Sequence, residues 1–180
     1  EGKVLGIYAE SDLPLARTGQ RGEYLAEATA KSLEILTNNV KNNKKKGFVL
    51  MVEGSKIDGE GHSRNPQGIL AETRDFGNAI KVAMDYADTH PGTLVVVCSD
   101  HDTGGMAIPS NKTDFTLPES GISYAFGTSS HTATMVPVYL YGTGAECING
   151  IMENSDLSWE LQELLGVGHR SEKDATKQKK

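Results

Sequence analysis

The sequence predicts an α/β fold: a layered sandwich in which helices flank a mostly parallel central sheet. Strand-like and helix-like segments alternate along the chain, and that order is typical of such layers. Two strand-like segments, 48–52 and 93–99, are apolar almost without interruption. Parallel strands buried on both faces have this pattern, whereas half-exposed strands alternate polar and apolar residues. We expect a single domain, because no linker divides the 180 residues.

The first half of the chain predicts a strand, a helix and a second strand. The first strand covers residues 4–8, and a loop over 11–22 follows it. A helix is predicted over 23–38, because apolar residues recur there at helical spacing and acidic residues occupy its first turn. The apolar run 48–52 predicts the second strand. The stretch 54–68 is rich in Gly, Ser, Asn and Pro and is predicted to be mainly loop.

The second half of the chain predicts a long helix, several strands and a terminal helix. The expected elements are a helix over 69–89, a strand over 93–99, short strands over 122–126 and 136–141, and a helix over 157–165. The long helix has one apolar face, and the sequence His90-Pro-Gly predicts its end. Asp156 is the candidate N-cap of the last helix, and Gly166 is its stop signal.

Composition excludes several classes of function. A net charge of −6 without a basic face argues against nucleic acid as a partner. No run of about 18 apolar residues predicts a membrane span. The basic tail, 169–180, is expected to be disordered. Two cysteines cannot build a disulfide framework, and Cys98 is predicted to be a buried, inert thiol because it lies in an apolar run.

Six potential metal ligands stand in three short clusters of the sequence. They are Glu53, Asp58 and His62, then Asp100 and His101, then His131. The first two clusters begin directly after the apolar strands, and sites in open parallel sheets form beyond the carboxyl ends of the strands. Carboxylate with imidazole is the donor set that zinc uses when one position must stay open for chemistry. The sequence therefore predicts a metal centre at one edge of the sheet.

The local spacing is compatible with one shared site. Asp58 and His62 are four residues apart, so they share a face if the segment forms a helical turn. Asp100 and His101 can both face a metal only if the chain turns there, and the following Asp-Thr-Gly-Gly favours a turn. His131 lies in a small-residue loop that can cross to the same edge. Each pattern alone is more often surface than ligand, so a generic α/β domain with surface acids and histidines remains an alternative.

Four further acidic residues admit other roles. Glu60 and Asp102 are candidate hydrogen-bond acceptors for the imidazoles, because they neighbour the ligand positions. Glu72 and Asp75 lie near a helix start, where negative charge is favourable, and this explains them without a metal.

Three segments of the sequence resemble the alkaline phosphatase family. They are GFVLMVEGSKIDGEGH at 47–62, VVVCSDHDTGG at 95–105 and SHTATMVPV at 130–138. They occur in the family's order, and the likeness covers roughly residues 3–167, which correspond to the family's C-terminal portion. Residues 1–168 are therefore identified as the C-terminal portion of an alkaline-phosphatase-like α/β domain, incomplete by itself.

The resemblance implies a role for each candidate ligand. It assigns Asp58, His62 and His131 to a first zinc ion, Asp100 and His101 to a second zinc ion, and Glu53 to a magnesium ion. Such a centre hydrolyses phosphate monoesters by two-metal displacement, in which the ions clamp the entering and leaving oxygens. The implied cofactors are two Zn²⁺ and one Mg²⁺.

The match to the family also leaves parts out. The family's serine nucleophile lies in an Asp-Ser-Ala type motif of its N-terminal part, and nothing in this sequence matches that motif. The resemblance implies an N-terminal part of the same protein as partner, a homodimer, and a periplasmic or extracellular location. Two alternatives stay open: a catalytically inactive metal-binding fragment, and a phosphodiesterase or sulfatase of the same superfamily.

Overall fold

The computed structural model describes residues 3–110 and 121–168. Their elements, in chain order, are α1 (Tyr24–Asn43), α2 (Lys56–His62), α3 (Pro66–Thr89), β1 (Leu94–Cys98), β2 (Asp102–Thr103), β3 (Met106–Ala107), β4 (Ala125–Phe126), β5 (His131–Thr132), β6 (Val138–Gly142) and α4 (Asn154–Leu165). Three helices come first, six strands follow and one helix comes last, so the predicted alternation of strands and helices is not present among the described residues. The chain nevertheless combines both kinds of element in an α/β fold. The predicted basic tail at 169–180 lies outside the described residues.

Helices α1 and α3 pack together and form the main helical layer. Leu33 of α1 and Ala79 of α3 are buried there, at 7% and 2% exposure. The hydroxyls of Thr37 and Tyr86 join the two helices at 2.7 Å. α1 continues past the predicted end at residue 38 because lysine and asparagine residues extend it until Lys44, which turns into the left-handed region with φ 51°. The interface between α1 and α3 therefore combines apolar packing with a hydrogen bond.

The strands pair differently from the prediction. β1 and β6 form an antiparallel ribbon with Leu94 opposite Gly142 and Cys98 opposite Val138. The two other strand pairs that the structure describes, β2–β5 and β3–β4, are also antiparallel. A mostly parallel central sheet is therefore not confirmed. A continuous apolar run indicates a tendency to be buried, but it carries no information on the direction of the neighbouring strand.

The apolar segments 4–8 and 48–52, predicted as strands, belong to no helix or strand pair among the described residues. In the second segment Val49 and Met51 are 73% and 87% exposed, while Phe48, Leu50 and Val52 are partly buried. The prediction of strands buried on both faces is wrong for the part of the chain that the structure describes, because nothing in that part covers Val49 and Met51. Cys98, the last residue of β1, is exposed for a similar reason, so its predicted burial is also wrong.

Local corrections concern the loop at 54–68 and the two ends of α4. The predicted loop contains α2 and the first turn of α3, which begins at Pro66. α4 begins at Asn154 with Glu153 at its N-cap position, so Asp156 lies in the first turn instead of capping. Gly166 ends α4 at φ 65°, as predicted. None of the described helices is both long enough and apolar enough to cross a bilayer.

Candidate metal centre

Helix α2 carries Asp58 and His62 one turn apart, on one face. His62 Nε2 lies 3.4 Å from Asp58 Oδ2. The helix can lie close to β2 because Gly61 has no side chain: a Cβ at that position would sit 3.0 Å from the carbonyl oxygen of Thr103. The predicted helical turn is therefore present, and it packs against the strand that follows Asp100 and His101.

The short β2–β5 pairing brings His131 to this helix. Thr103 of β2 stands opposite His131 of β5 in the antiparallel register. His131 Nε2 then lies 3.2 Å from His62 Nε2 and 3.5 Å from Asp58 Oδ1. The ring of His101 stacks on the ring of His131 with centroids 3.6 Å apart. One carboxylate and three imidazoles from three parts of the chain thus meet at one place.

The hydrogen bonds of the imidazoles leave nitrogen lone pairs in this cluster. His62 Nδ1 lies 2.8 Å from the carbonyl oxygen of Ser129, which can only accept, so Nδ1 carries the proton. Thr103 Oγ1 donates to Asp58 Oδ1 at 2.5 Å and lies 3.2 Å from His101 Nδ1. Because its one proton goes to Asp58, the hydroxyl accepts from His101 Nδ1–H. When each ring is neutral, this arrangement leaves the lone pair on Nε2, as a metal ligand requires.

The carboxylate of Asp58 is held in its charged form. The hydrogen bond from Thr103 lowers the pKa of Asp58, and the nearby rings of His62, His131 and His101 lower it further, while burial acts in the opposite direction. Asp58, His101 and His131 each offer a ligand atom, and these atoms lie within 4.8 Å of one another. A carboxylate and several imidazole nitrogens this close together are a donor set that fits a divalent ion of the zinc type.

Two of the six predicted site residues stand apart from this cluster. The side chain of Asp100 is 84% exposed, and its Oδ2 lies 3.4 Å from His101 Nε2. Glu53 is exposed and lines a separate cavity next to Arg21, Glu72 and Asp75. The structure therefore brings together Asp58, His62, His101 and His131, with Asp100 at the margin and Glu53 in a different cavity.

Thr103 is a site residue for which the sequence predicts only a place in a turn. A signal was available, because alternation along an extended chain places Thr103 on the same side as His101. The acceptors predicted for the imidazoles have other partners. Asp102 accepts from Thr132 Oγ1 at 2.6 Å and from the backbone N–H of Gly105 at 3.1 Å.

Glu60 is the second residue predicted to accept from an imidazole, and it too points elsewhere. Its Oε2 accepts from Asn65 Nδ2 at 2.6 Å, and its side chain is buried at the α2–α3 contact. The reason is helical geometry: a residue two positions from both ligands faces the opposite side of α2.

A second charged group is buried beside the cavity that Glu53 lines. Arg21 Nη2 donates to Glu72 Oε2 and to Asp75 Oδ2, each at 2.6 Å. All three side chains are at most 9% exposed. Burial acts to lower the pKa of Arg21, but the hydrogen bonds and charges of the two carboxylates outweigh it and raise the pKa. Glu72 and Asp75 therefore neutralise a buried guanidinium, a role that their position near a helix start did not reveal.

Comparison with known proteins places these residues in a family. The family model described as alkaline phosphatase matches residues 1–120. The chain is 32% identical over 158 residues to streptomycin-6-phosphate phosphatase of Streptomyces griseus, covering 79% of this chain and 35% of that protein. It is 32% identical over 199 aligned positions to alkaline phosphatase H of Pseudomonas aeruginosa, covering 91% of this chain and 41% of that protein.

Solved structures agree with the sequence comparison. The alkaline phosphatase of the Antarctic bacterium TAB5 superposes with a TM-score of 0.79 at 33% identity, covering 91% of this chain and 46% of that one. A mutant of the TAB5 enzyme with Mg bound superposes with the same TM-score at 31% identity. The chain thus spans less than half the length of these relatives. By the match of the family model and of the fold, the chain belongs to the alkaline phosphatase family.

Proposed function

We propose that this chain forms the metal-binding part of a metal-dependent hydrolase of phosphate monoesters. The observation that carries the proposal is the convergence of Asp58, His62, His101 and His131 in a member of the alkaline phosphatase family. Relatives named as phosphatases match most of the chain, and one is named for a phosphate monoester of an aminoglycoside. The donor chemistry of the cluster suits a divalent cation.

We propose the following ligand assignment within this centre. Asp58, His62 and His131 hold a first zinc ion, Asp100 and His101 contribute to a second, and Glu53 binds magnesium. The contacts of 3.2 to 3.5 Å among the first three side chains support the first group. The stacking of His101 on His131 and the contact of Asp100 with His101 support a second group next to it. Glu53 lines a separate cavity, and its assignment to magnesium rests on the family resemblance.

The residues of this chain have definite tasks in such a reaction. Bound divalent ions supply Lewis acidity and lower the pKa of an oxygen nucleophile. Asp58 provides a negative charge, because the hydrogen bond from Thr103 lowers the pKa of its carboxyl group and favours the ionised form. The carbonyl of Ser129 orients the ring of His62, and the Thr103 hydroxyl orients the ring of His101. The two rings thereby present Nε2 and do not rotate their protonated nitrogen into the site.

The reaction also requires a nucleophile, and we propose that a part of the protein outside these 180 residues supplies it. No motif in the 180 residues matches the family's nucleophile, and the relatives are more than twice as long as the matched part. We propose that residues 1–168 complete a larger phosphatase domain, in which an N-terminal part supplies the nucleophile and the parallel strands of the sheet. The exposed apolar residues Val4, Leu5, Ile7, Tyr8, Val49 and Met51 support a covering partner. Homodimerisation and a periplasmic or extracellular location belong to the same proposal.

The missing nucleophile motif also favours a second candidate, an inactive metal-binding fragment, and one experiment separates the two. The 180-residue chain is expected to bind Zn²⁺ weakly and to show no strong hydrolysis of p-nitrophenyl phosphate by itself. Adding the N-terminal part of a relative such as alkaline phosphatase H should produce hydrolysis if the chain belongs to an enzyme. Failure of every such combination favours the inactive fragment, and strong hydrolysis by the chain alone contradicts the division of the site.

The ligand assignment has its own test. His131→Ala is expected to weaken Zn²⁺ binding as much as Asp58→Ala does, because both side chains contribute one donor to the same ion. Removing one of three protein ligands should reduce the affinity at least about tenfold, by analogy with the loss seen for residues that merely orient ligands. Titration calorimetry measures this, with His90→Ala as control, since His90 lies at the end of α3 and stacks on Tyr86. Unchanged Zn²⁺ affinity in His131→Ala contradicts its assignment.

A further inference from the structure

Glu60 lies on the ligand-bearing helix but faces away from the ligands. It stands between Asp58 and His62 in sequence, two residues from each, and therefore on the opposite side of α2. Asp58 and His62 have side chains that are 44% and 42% exposed, whereas Glu60 is 5% exposed. A carboxylate is rarely so deeply buried unless its oxygens find partners.

The partners of Glu60 belong to the elements that flank α2. Oε2 accepts from Asn65 Nδ2 at 2.6 Å, and Asn65 is the N-cap residue of α3. Oε1 lies 3.5 Å from Nε of Arg17, in the segment that precedes α1. The backbone carbonyl of Glu60 also accepts from the N–H of Asn65, at 3.0 Å. One residue thus joins α2 to α3 through both its backbone and its side chain.

The first turn of α3 is shaped around this carboxylate. Gly68 is buried there, and a Cβ at that position would overlap Oε2 of Glu60 and crowd Asn65 Nδ2. The space that any larger residue would fill is occupied by the carboxylate. The N-terminal end of a helix is also its positive end, which favours a negative charge at this place. The contact is therefore specific in shape and in hydrogen bonding, and the charge adds a smaller contribution.

Helix α2 needs such an anchor. It has only seven residues, two of which are Gly59 and Gly61. Isolated helices of this length are not stable in water, and glycine weakens a helix further. Its order must come from contacts with the rest of the chain, and Glu60 provides the buried polar contact to α3. The separation of Asp58 and His62, which lie one turn apart on α2, depends on that order.

We propose that Glu60 is a positioning residue of the metal centre: by anchoring α2 to Asn65 and Gly68 of α3, its buried carboxylate holds Asp58 and His62 ready to bind one ion. Glu60 does not touch the ion and does not orient an imidazole. The proposal rests on the metal-binding function proposed above. It adds that contacts on the α3-facing side of α2 fix the positions of the two ligands before a metal ion binds.

The test uses the 180-residue chain with three substitutions. Glu60→Ala removes the anchor, and Glu60→Gln keeps an amide oxygen that can still accept from Asn65 Nδ2. Tyr86→Phe is the matched control, because it deletes a hydrogen bond between α1 and α3 that is remote from the ligands. Two properties are measured for each: amide hydrogen exchange of residues 57–63 without metal, and Co²⁺ affinity from the visible absorption of bound Co²⁺, at a temperature where every variant is folded.

We expect Glu60→Ala to speed exchange in α2 about tenfold and to weaken Co²⁺ binding about tenfold, the lower end of the range for residues that orient ligands. Glu60→Gln should recover most of both losses. Tyr86→Phe should lower overall stability without changing Co²⁺ affinity. The rescue by glutamine separates positioning from a general loss of stability.

Three results overturn the proposal. The first is unchanged Co²⁺ affinity in Glu60→Ala while the wild type binds. The second is an equal loss of affinity in Tyr86→Phe, and the third is failure of Glu60→Gln to recover. If α2 exchange responds to Glu60→Ala but the wild-type chain binds neither Co²⁺ nor Zn²⁺, then the metal-binding function itself is wrong and the positioning role falls with it. If the wild type binds metal and Glu60→Ala binds it with the same affinity, then only the positioning role is wrong and the metal-binding function stands.

Discussion

Replacing Arg21 by methionine should destabilise the chain strongly, since it leaves two buried carboxylates without their cation. Methionine keeps much of the apolar stem of arginine and removes the guanidinium. Glu72 and Asp75 are 3% and 8% exposed, and both bind the same nitrogen of Arg21 at 2.6 Å. The variant therefore loses two buried, charge-assisted hydrogen bonds to carboxylates in a place where water does not replace them. It also loses an exposed hydrogen bond to the carbonyl oxygen of Pro14, which water can replace.

The expected loss is about 3 kcal/mol. Each hydrogen bond to a charged group contributes about 2 kcal/mol, which gives about 4 kcal/mol for the pair. About 1 kcal/mol is recovered, because Nε of Arg21 is a buried donor without a hydrogen-bond partner among the described residues and disappears with the side chain. The result agrees with the range of about 3–5 kcal/mol for breaking one side of a buried ion pair.

Urea unfolding followed by circular dichroism measures this loss. With a slope of about 2 kcal/mol per molar urea, the midpoint of Arg21→Met should fall by about 1.5 M. The triple variant with Glu72→Gln and Asp75→Asn should regain part of the stability, since no buried charge then lacks a partner. A loss below about 1 kcal/mol in Arg21→Met, with an unchanged slope, refutes the claim that this cluster is a buried, energetically important ion group.

Two further substitutions test other parts of the structure. Gly142→Ala should cost about 2 kcal/mol or more in urea unfolding, because Gly142 has φ 95° and an added Cβ would overlap the carbonyl oxygen of Thr93. Gly144→Ala, at φ 83° with only a side chain nearby, should cost about 1 kcal/mol, and equal losses would contradict the steric argument. The hydroxyl of Tyr141 donates to Asp88 Oδ1, and this bond and the charge of Asp88 raise the pKa of Tyr141. The stability from this bond is present below about pH 10 and is lost as the pH rises through the raised pKa. Ultraviolet titration should show Asp88→Asn lowering that pKa, and an unchanged titration would contradict the assignment.

The sequence predicted the ligands best where chemistry and local periodicity coincide. Asp58 and His62 are four apart, and the helix that this spacing requires is present. His131 is far from both in sequence, and it lies next to them only because the two-residue strand β5 pairs with β2. Such a short pairing has no recognisable sequence pattern. The family resemblance could group His131 with the others, but spacing alone could not.

Prediction failed where the outcome depends on a partner element. The apolar run 48–52 predicts a buried strand, and only the layers on both sides decide whether it is one. The role of Glu60 was predicted wrongly because it was assigned by adjacency to the ligands, and Thr103 was assigned only to a turn. Three-dimensional adjacency reverses this: Thr103 contacts Asp58 across 45 positions, while Glu60, two positions away, faces another helix.

The unpaired apolar segment 48–52 affects how the isolated chain behaves in solution. Its backbone carries no ladder partner among the described residues, and Val49 and Met51 are exposed, as are the apolar residues Val4, Leu5, Ile7 and Tyr8. Such a stretch is a template onto which a second chain can add a strand, and that reaction leads towards aggregation. Solutions of the isolated chain are therefore expected to be sensitive to concentration. Lysine at position 49 or 51 should delay precipitation without altering the fold, because both side chains point into solvent.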